Sequence, residues 1–490
     1  MLTRRDMIRT TAATAVGGVA ASALLGNAAL GASPTAFSLF GALPEPRARR
    51  PFGGKLGKLQ LLQVGVGGSI APADRNELKN HPDVVFTGLC DVDSDALASV
   101  AKEHPEAFTC RDFREAFDKH GDKFDAVVVC TPDHNHALID LWALRANKHV
   151  YGQKPLVQQL SEVVAIEQAI AARPKLITQT GNQRMGPESR QYAVDIMKSG
   201  LLGKAIEAHV WIGGPGAGTD GYFWYGGLKD PITPPANIDW PLWLGAAVDA
   251  PCRPGLIGLQ WRSSWDYGTG QLGDWCTHLL DILTFAYDLP SPKSVLANTL
   301  DPSDFYHARG VRSTLVYDVS KVPNRNRFAH DRFTVHYADQ AQAPSRAELG
   351  LPPGKFGGIG TLVVCEGGVI CCGAEGPVEV WIDGKPVDFK TLPGLGKVTA
   401  RNHWHAWVDA IVGGPNRKTD GFVQSPFAAT AKMAEAGLLC SRAARFPQQE
   451  LGWDKSRLVF TKPDGSTHEE ATKTCVTREY RKGFELPTVS

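Results

Sequence analysis

The run Leu61-Leu62-Gln63-Val64-Gly65-Val66-Gly67-Gly68 constrains this chain more than any other stretch: a mostly apolar strand runs straight into a glycine-rich turn, and an amphipathic segment follows. A strand apolar on both faces must be covered on both faces, which is the habit of parallel sheets sandwiched by helices. The alternation continues downstream. Residues 59–66, 84–90, 126–130, 149–151 and 175–180 read as strands, and 71–79, 94–103, 113–119, 136–146 and 160–171 as the helices between them. The spacing predicts a doubly wound parallel sheet over 59–185, with its ligand at the carboxyl ends of the strands.

After residue 186 the pattern changes. A helix at 188–199 precedes β-type runs broken by Gly and Pro, at 205–211, 294–299, 312–316, 333–337, 360–365 and 378–382. These predict an α+β unit over 186–450 with a mostly antiparallel open sheet. Its covering helices are expected at 274–286, 402–412 and 428–444, and residues 451–490 read as a C-terminal extension.

The first residues read as processing rather than fold. Arg4 and Arg5 precede a small, mildly apolar run, which predicts a cleaved twin-arginine signal over 1–32 and a periplasmic or otherwise exported protein. Pro44, Pro46, Pro51 and Arg47, Arg49, Arg50 mark 33–58 as a linker, so the mature protein is expected to start near Leu59. No later stretch is long and apolar enough for stable membrane insertion. A net charge of +1 without a basic block disfavours nucleic acid as a partner. The ten cysteines show neither CxxC pairs nor His interleaving, so no metal and no disulfide framework is expected.

Glycines after a first strand let backbone approach a pyrophosphate, which then rests on the amides of the next helix. Gly65, Gly67 and Gly68 suit that task, while Ile70 replaces the usual third glycine and puts close helix packing in question. Asp91 ends the second strand, where a carboxylate accepts from ribose hydroxyls and repels a 2′-phosphate, so NAD is favoured over NADP. Together the first unit reads as a Rossmann dinucleotide-binding domain.

Several further pieces sit in a matching order: Cys90-Asp91-Val92-Asp93, Thr131-Pro132-Asp133-His134-Asn135-His136, Gly152-Gln153-Lys154-Pro155-Leu156, Gly181-Asn182-Gln183, Trp243-Leu244-Gly245 and Gly273-Asp274-Trp275-Cys276-Thr277-His278. As a set they resemble the glucose-fructose oxidoreductase and inositol dehydrogenase family, Gfo/Idh/MocA, in its exported branch. The resemblance implies cofactor contacts from Thr131, Pro132, His134, His136, Gln153, Lys154, Asn182 and Gln183. It places Lys154 beside the reacting carbon, with the peptide bond to Pro155 often cis, and puts His278 at the base position with Asp274 beside it. Gln153 stands where the family usually has glutamate, which removes one acidic neighbour of Lys154.

Helical spacing independently sets Asp274 and His278 on one face, where a carboxylate can orient an imidazole for proton removal. Seven of twelve tryptophans fall between Trp211 and Trp275, and Trp261, Arg262 and Tyr267 join Asp274 and His278 as candidate sugar contacts, with Tyr222, Trp224 and Tyr225 nearby. His403 and His405 diverge on a helix and suit no shared metal. The expected activity is NAD(P)-dependent oxidation of a carbohydrate or polyol at a ring carbinol, with a tightly held, recycled cofactor. The alternatives are a redox-neutral NAD-dependent glycoside hydrolase and a non-catalytic sugar-binding protein. The open sheet is expected to pair with another copy.

Overall fold

The computed structural model describes residues 57–213, 223, 227–299, 303–340, 342–374, 377–413 and 416–489. The arginine pair, the linker up to residue 56, Tyr222, Trp224 and Tyr225 lie outside the described residues.

Six parallel strands, β1 (Leu59–Val64), β2 (Val84–Cys90), β3 (Phe108–Cys110), β4 (Ala126–Val129), β5 (His149–Gly152) and β6 (Thr178–Thr180), form a sheet in the order β3-β2-β1-β4-β5-β6. Helices α1 (Ala71–Lys79), α2 (Ser94–Ala101), α3 (Phe113–His120), α4 (His136–Arg145) and α5 (Leu160–Ala172) connect them. Every residue of β1 is buried, as an apolar run on both faces requires. Leu62, Val64, Val127 and Val129 pack on one side with Ile139, Val163 and Ile166. Leu59, Leu61, Ala126 and Val128 pack on the other, against Trp407, Val408 and Ile411. Those last three belong to a helix from far downstream, so the first sheet is completed by the second half of the chain.

After α6 (Glu188–Ser199), a ten-stranded sheet runs β14-β13-β12-β11-β7-β10-β9-β8-β15-β16. Its strands are β7 (Ala205–Ile212), β8 (Ser294–Asn298), β9 (Arg312–Asp318), β10 (Arg332–Asp339), β11 (Gly360–Cys365), β12 (Gly368–Gly373), β13 (Val378–Ile382), β14 (Lys385–Val387), β15 (Glu450–Asp454) and β16 (Val459–Thr461). Among the described residues, the only parallel strand pair in this sheet is β7 with β10. Between β7 and β8 come the short α7 (Trp240–Leu244), α8 (Gly270–Leu279) and α9 (Asp281–Tyr287), and later α10 (His403–Val412), α11 (Phe427–Ala443) and α12 (Glu469–Cys475).

Two expectations are corrected. The single helix expected at 274–286 is two, α8 and α9, and the first begins at Gly270. They part at Asp281, whose Oδ1 accepts from the Ile282 N–H at 2.7 Å while the carboxylate also engages Asn182 and Arg190. The extension expected after residue 450 does not stand apart: β15 pairs with β8, and β16 with β15. All ten cysteines are free thiols. Among the described residues no helix is long and apolar enough to cross a membrane, and no three His, Cys, Asp or Glu side chains converge as for a metal.

Asp140, on α4, is an anomaly in this core. It is fully buried, both carboxylate oxygens lack a hydrogen-bond partner among the described residues, and burial pushes its pKa well up. An acid whose pKa is raised on folding contributes stability below its unfolded pKa, and that contribution is lost as pH rises toward the folded value. Asp140→Asn is therefore expected to stabilise the protein at neutral pH by about 1–3 kcal/mol, because the unfolded carboxyl gains free energy by ionising there and the buried one does not. The gain should shrink as pH falls toward about 4, where the unfolded carboxyl is also protonated. Thermal melts of both proteins at the two pH values check this; an equal difference at each would refute it.

Candidate active site

A cleft opens at the carboxyl ends of the parallel strands. Gly65, Gly67, Gly68, Asp91, Thr131, Pro132, Gln153, Lys154 and Gln183 line it, with Trp261 and Arg262 from the second half. Gly65 closes the β1 turn at φ +83°, and a Cβ there would lie 2.8 Å from the Cys130 carbonyl carbon and oxygen, so a side chain has neither the conformation nor the space. Asp91 Oδ2 accepts from the Val66 and Gly67 N–H groups at 2.7 and 2.9 Å, and Oδ1 from Asp93 N–H at 2.9 Å. The carboxylate thus shapes the glycine loop while it faces the cleft.

The Ile70 departure leaves helix packing intact. Ile70 occupies the N-cap of α1, and the neighbouring Ala71 is the small, fully buried residue at the sheet. Ile70 offers no side-chain cap, so the Ala71 and Ala73 N–H groups at the start of α1 carry none, Pro72 having no N–H. An uncapped helix start beside an open Gly68, which has no atom within 4 Å of a Cβ position, fits a pyrophosphate. The donor set and space therefore suit a dinucleotide.

Three expected cofactor contacts lie behind the wall rather than on it. The His134 ring is fully buried, its Nε2 is 2.9 Å from the Trp243 carbonyl oxygen, and burial pushes its pKa down to about 3. The His136 nitrogens lie 2.6 and 2.7 Å from the carbonyl oxygens of Pro155 and Thr131, so this ring ties the loop after β4 to the Lys154–Pro155 turn. That peptide bond is cis. Asn182 is fully buried against His278. Tyr267, expected at the substrate, is core: it is 3% exposed and packs edge-on to His134 and Trp243.

The proposed pairing of Asp274 with His278 is also corrected. Asp274 Oδ2 accepts from Lys154 Nζ at 2.5 Å, and Oδ1 lies 3.7 Å from Arg262 Nε. His278 instead turns its Nδ1 to Asn182 Oδ1 at 2.8 Å. The Asn182 amide is fixed in that sense, because its NH2 donates to the Thr277 carbonyl at 2.9 Å and to Asp281 Oδ2 at 3.2 Å. An oxygen facing Nδ1 requires a proton on Nδ1, which leaves the Nε2 lone pair free. Asp281 in turn is held by the buried Arg190. Burial, then the charges of Lys154, Arg184 and Arg190, hold the His278 pKa well below the ordinary histidine value, so the ring is neutral at neutral pH.

Gln153 is not a lost neighbour of Lys154. Its Nε2 donates to the buried Asp74 at 2.7 Å, and Lys154 takes its carboxylate from Asp274. Asp74 also accepts from Trp404 Nε1 at 2.7 Å, and burial pushes its pKa up to about 6. His403 and His405 bind backbone, at the Thr180 and Glu77 carbonyl oxygens. Sequence reasoning passed over Asp133 as a site residue. It lines the cleft, is 1% exposed, accepts from the Thr269 hydroxyl at 2.9 Å, and its Oδ1 has no partner among the described residues. The Thr131-Pro132 strand-end signal could have flagged it.

Comparison with known proteins agrees with this geometry. Residues 59–180 match the Gfo/Idh/MocA oxidoreductase family, NAD-binding Rossmann fold, and 189–315 match its C-terminal alpha/beta domain. The uncharacterized oxidoreductase YrbE of Bacillus subtilis is 26% identical over 139 residues, which cover 28% of this chain and 39% of that relative's length. Among solved structures, an inositol dehydrogenase homolog from Azotobacter vinelandii complexed with NADH and myo-inositol aligns with TM-score 0.54 at 15% identity, covering 81% of this chain and 98% of that one. The WlbA dehydrogenase from Chromobacterium violaceum, in complex with NADH and UDP-GlcNAcA, aligns with TM-score 0.53 at 15% identity over 81% and 96% of the two chains. The aldose-aldose oxidoreductase from Caulobacter crescentus aligns with TM-score 0.52 at 14% identity over 81% and 100%. With both of its regions matched and an NAD-fitting cleft at the strand ends, the chain belongs to the Gfo/Idh/MocA family of oxidoreductases.

Proposed function

We propose that this oxidoreductase takes hydride from a ring carbinol of a carbohydrate or polyol, with His278 as the base and Lys154 as the electrostatic partner. NAD, when bound, supplies the hydride acceptor. The observation that carries the reading is the His278 environment: a neutral imidazole with Nδ1 committed to Asn182 and Nε2 free to take a hydroxyl proton. The Lys154 ammonium, held by Asp274, favours the negative charge that develops on the substrate oxygen as hydride leaves. Half-buried Trp275, with Lys154 and Arg184 at 5.7 and 4.7 Å from its ring centroid, offers an apolar face for a sugar ring. Similarity to proteins described with myo-inositol and with UDP-GlcNAcA supports the substrate class.

The basic start of the chain supports export by the twin-arginine route after folding, with Leu59 opening the mature Rossmann unit. No nicotinamide pool is available outside the cytoplasm, so the cofactor would be retained and reoxidised in place. The open face of the ten-stranded sheet would then serve for pairing with another copy.

Purified exported protein, denatured without added nucleotide, is expected to release NAD(H) near one equivalent, read by mass spectrometry and absorbance. Incubation with free and linked sugars should yield an oxidised product with a reduced acceptor. Free sugar from a glycoside with no net change in NAD would instead establish the hydrolase, and an empty protein that takes up no NAD would refute both enzyme readings.

A further inference from the structure

We infer that the C-terminal segment 478–486 forms the outer wall of the adenosine pocket and retains the dinucleotide there, with Phe484 as the residue that faces it. This rests on the nucleotide-binding reading above. Asp91 marks the adenosine end of the cleft, because the ribose binds at the end of the second strand. The wall at that end includes Arg111, Asp112, Phe113 and, from the far end of the sequence, Phe484.

Terminal residues are ordinarily loose unless tied down, and this segment is tied at three separate places. Arg478 Nη2 donates to the His134 carbonyl at 2.5 Å and to Glu162 Oε1 at 2.9 Å, and the Tyr480 hydroxyl donates to the same carboxylate oxygen at 2.9 Å. Arg481 donates to the Gly245 carbonyl and to Asp249 Oδ1, each at 3.2 Å, and to the Pro241 carbonyl. From α3, Arg114 Nη1 donates to the Gly483 carbonyl at 2.8 Å. The guanidinium carbons of Arg114 and Arg481 lie 3.9 and 4.6 Å from the Phe484 ring centroid. The ring is 6% exposed.

These anchors join the loop after β4, the 241–249 segment and α3, which are three sides of the nucleotide cleft. A dinucleotide seated behind them leaves only when the segment lifts. The bland reading is that Phe484 merely finishes the hydrophobic core, which it also touches. The two differ in what the segment does to exchange. A wall that must open slows nucleotide departure, and core filling alone does not.

The test is the dissociation rate of NADH from the full-length protein, chased with excess NAD and followed by nucleotide fluorescence. Phe484→Ala is expected to raise that rate about tenfold or more, the scale of losing one buried aromatic contact. Phe484→Leu should raise it less. Arg481→Ala, which cuts the tie to the 241–249 segment and the cation packed on the ring but keeps Phe484 itself, should also raise it if Phe484→Ala fails to fold. Unchanged dissociation in folded variants whose ligand-free melting matches the parent overturns the inference and leaves the nucleotide reading standing. A parent protein that takes up no NADH overturns both.

Discussion

His278→Ala is expected to lower kcat by about 100- to 10,000-fold, the usual worth of a positioned general base. NADH binding should change little, because His278 does not line the nucleotide cleft. The sharper test is the pH profile. Burial and nearby cations hold the His278 pKa below its ordinary value, so the ring stays deprotonated to lower pH and the acid limb of kcat should fall below about pH 6.5. Asn182→Asp would set a carboxylate on Nδ1, favour the imidazolium and move that limb upward by about one unit or more. Asn182→Ala should lower kcat without the upward move, because it frees the tautomer and adds no charge. An acid limb that stays in place across the three proteins would remove His278 from the base position.

Much of the fold was legible because burial on both faces leaves a largely apolar run, and such runs give β1, β2 and β4 almost to the residue. Strand β3 escaped because Phe108–Cys110 is three residues long and mostly uncovered, too short for a period to register. The site was legible one residue at a time but not in its pairing. Helical spacing correctly sets Asp274 and His278 on one turn of α8, yet it cannot say which groups arrive from other elements. Lys154 from the end of β5 and Arg262 claim the carboxylate, and Asn182 from the end of β6 claims the imidazole. Tyr267 misled because an aromatic on an active-site wall and one in the core look alike in sequence. Nothing local distinguishes Phe484 from any apolar residue near a terminus; its place depends on contacts with Arg114, some 370 positions earlier in the chain.

Lys154→Ala should cost about 1,000-fold in kcat/KM, inside the range given for loss of the base, since preorganised charge at a developing oxyanion is commonly the largest single catalytic contribution. The geometry also predicts how the loss divides. Lys154 neutralises Asp274 at 2.5 Å, and Asp133, whose pKa is raised chiefly by burial and next by the charge of Asp274, lines the same cleft. Removal of the ammonium leaves the Asp274 carboxylate without its close partner and Arg262 as a cation 3.7 Å away, while the buried Asp133 is held still more firmly in its protonated form. The Asp274 charge then opposes a substrate oxygen that is becoming negative, so kcat should fall while KM moves by only a fewfold. Lys154→Arg restores the charge but not the compact head group, and should recover only part of the rate. Asp274→Asn in the Lys154→Ala background removes that charge. If repulsion accounts for part of the defect, this double variant turns over faster than Lys154→Ala alone. If it turns over more slowly, Asp274 serves the substrate directly and not through the lysine.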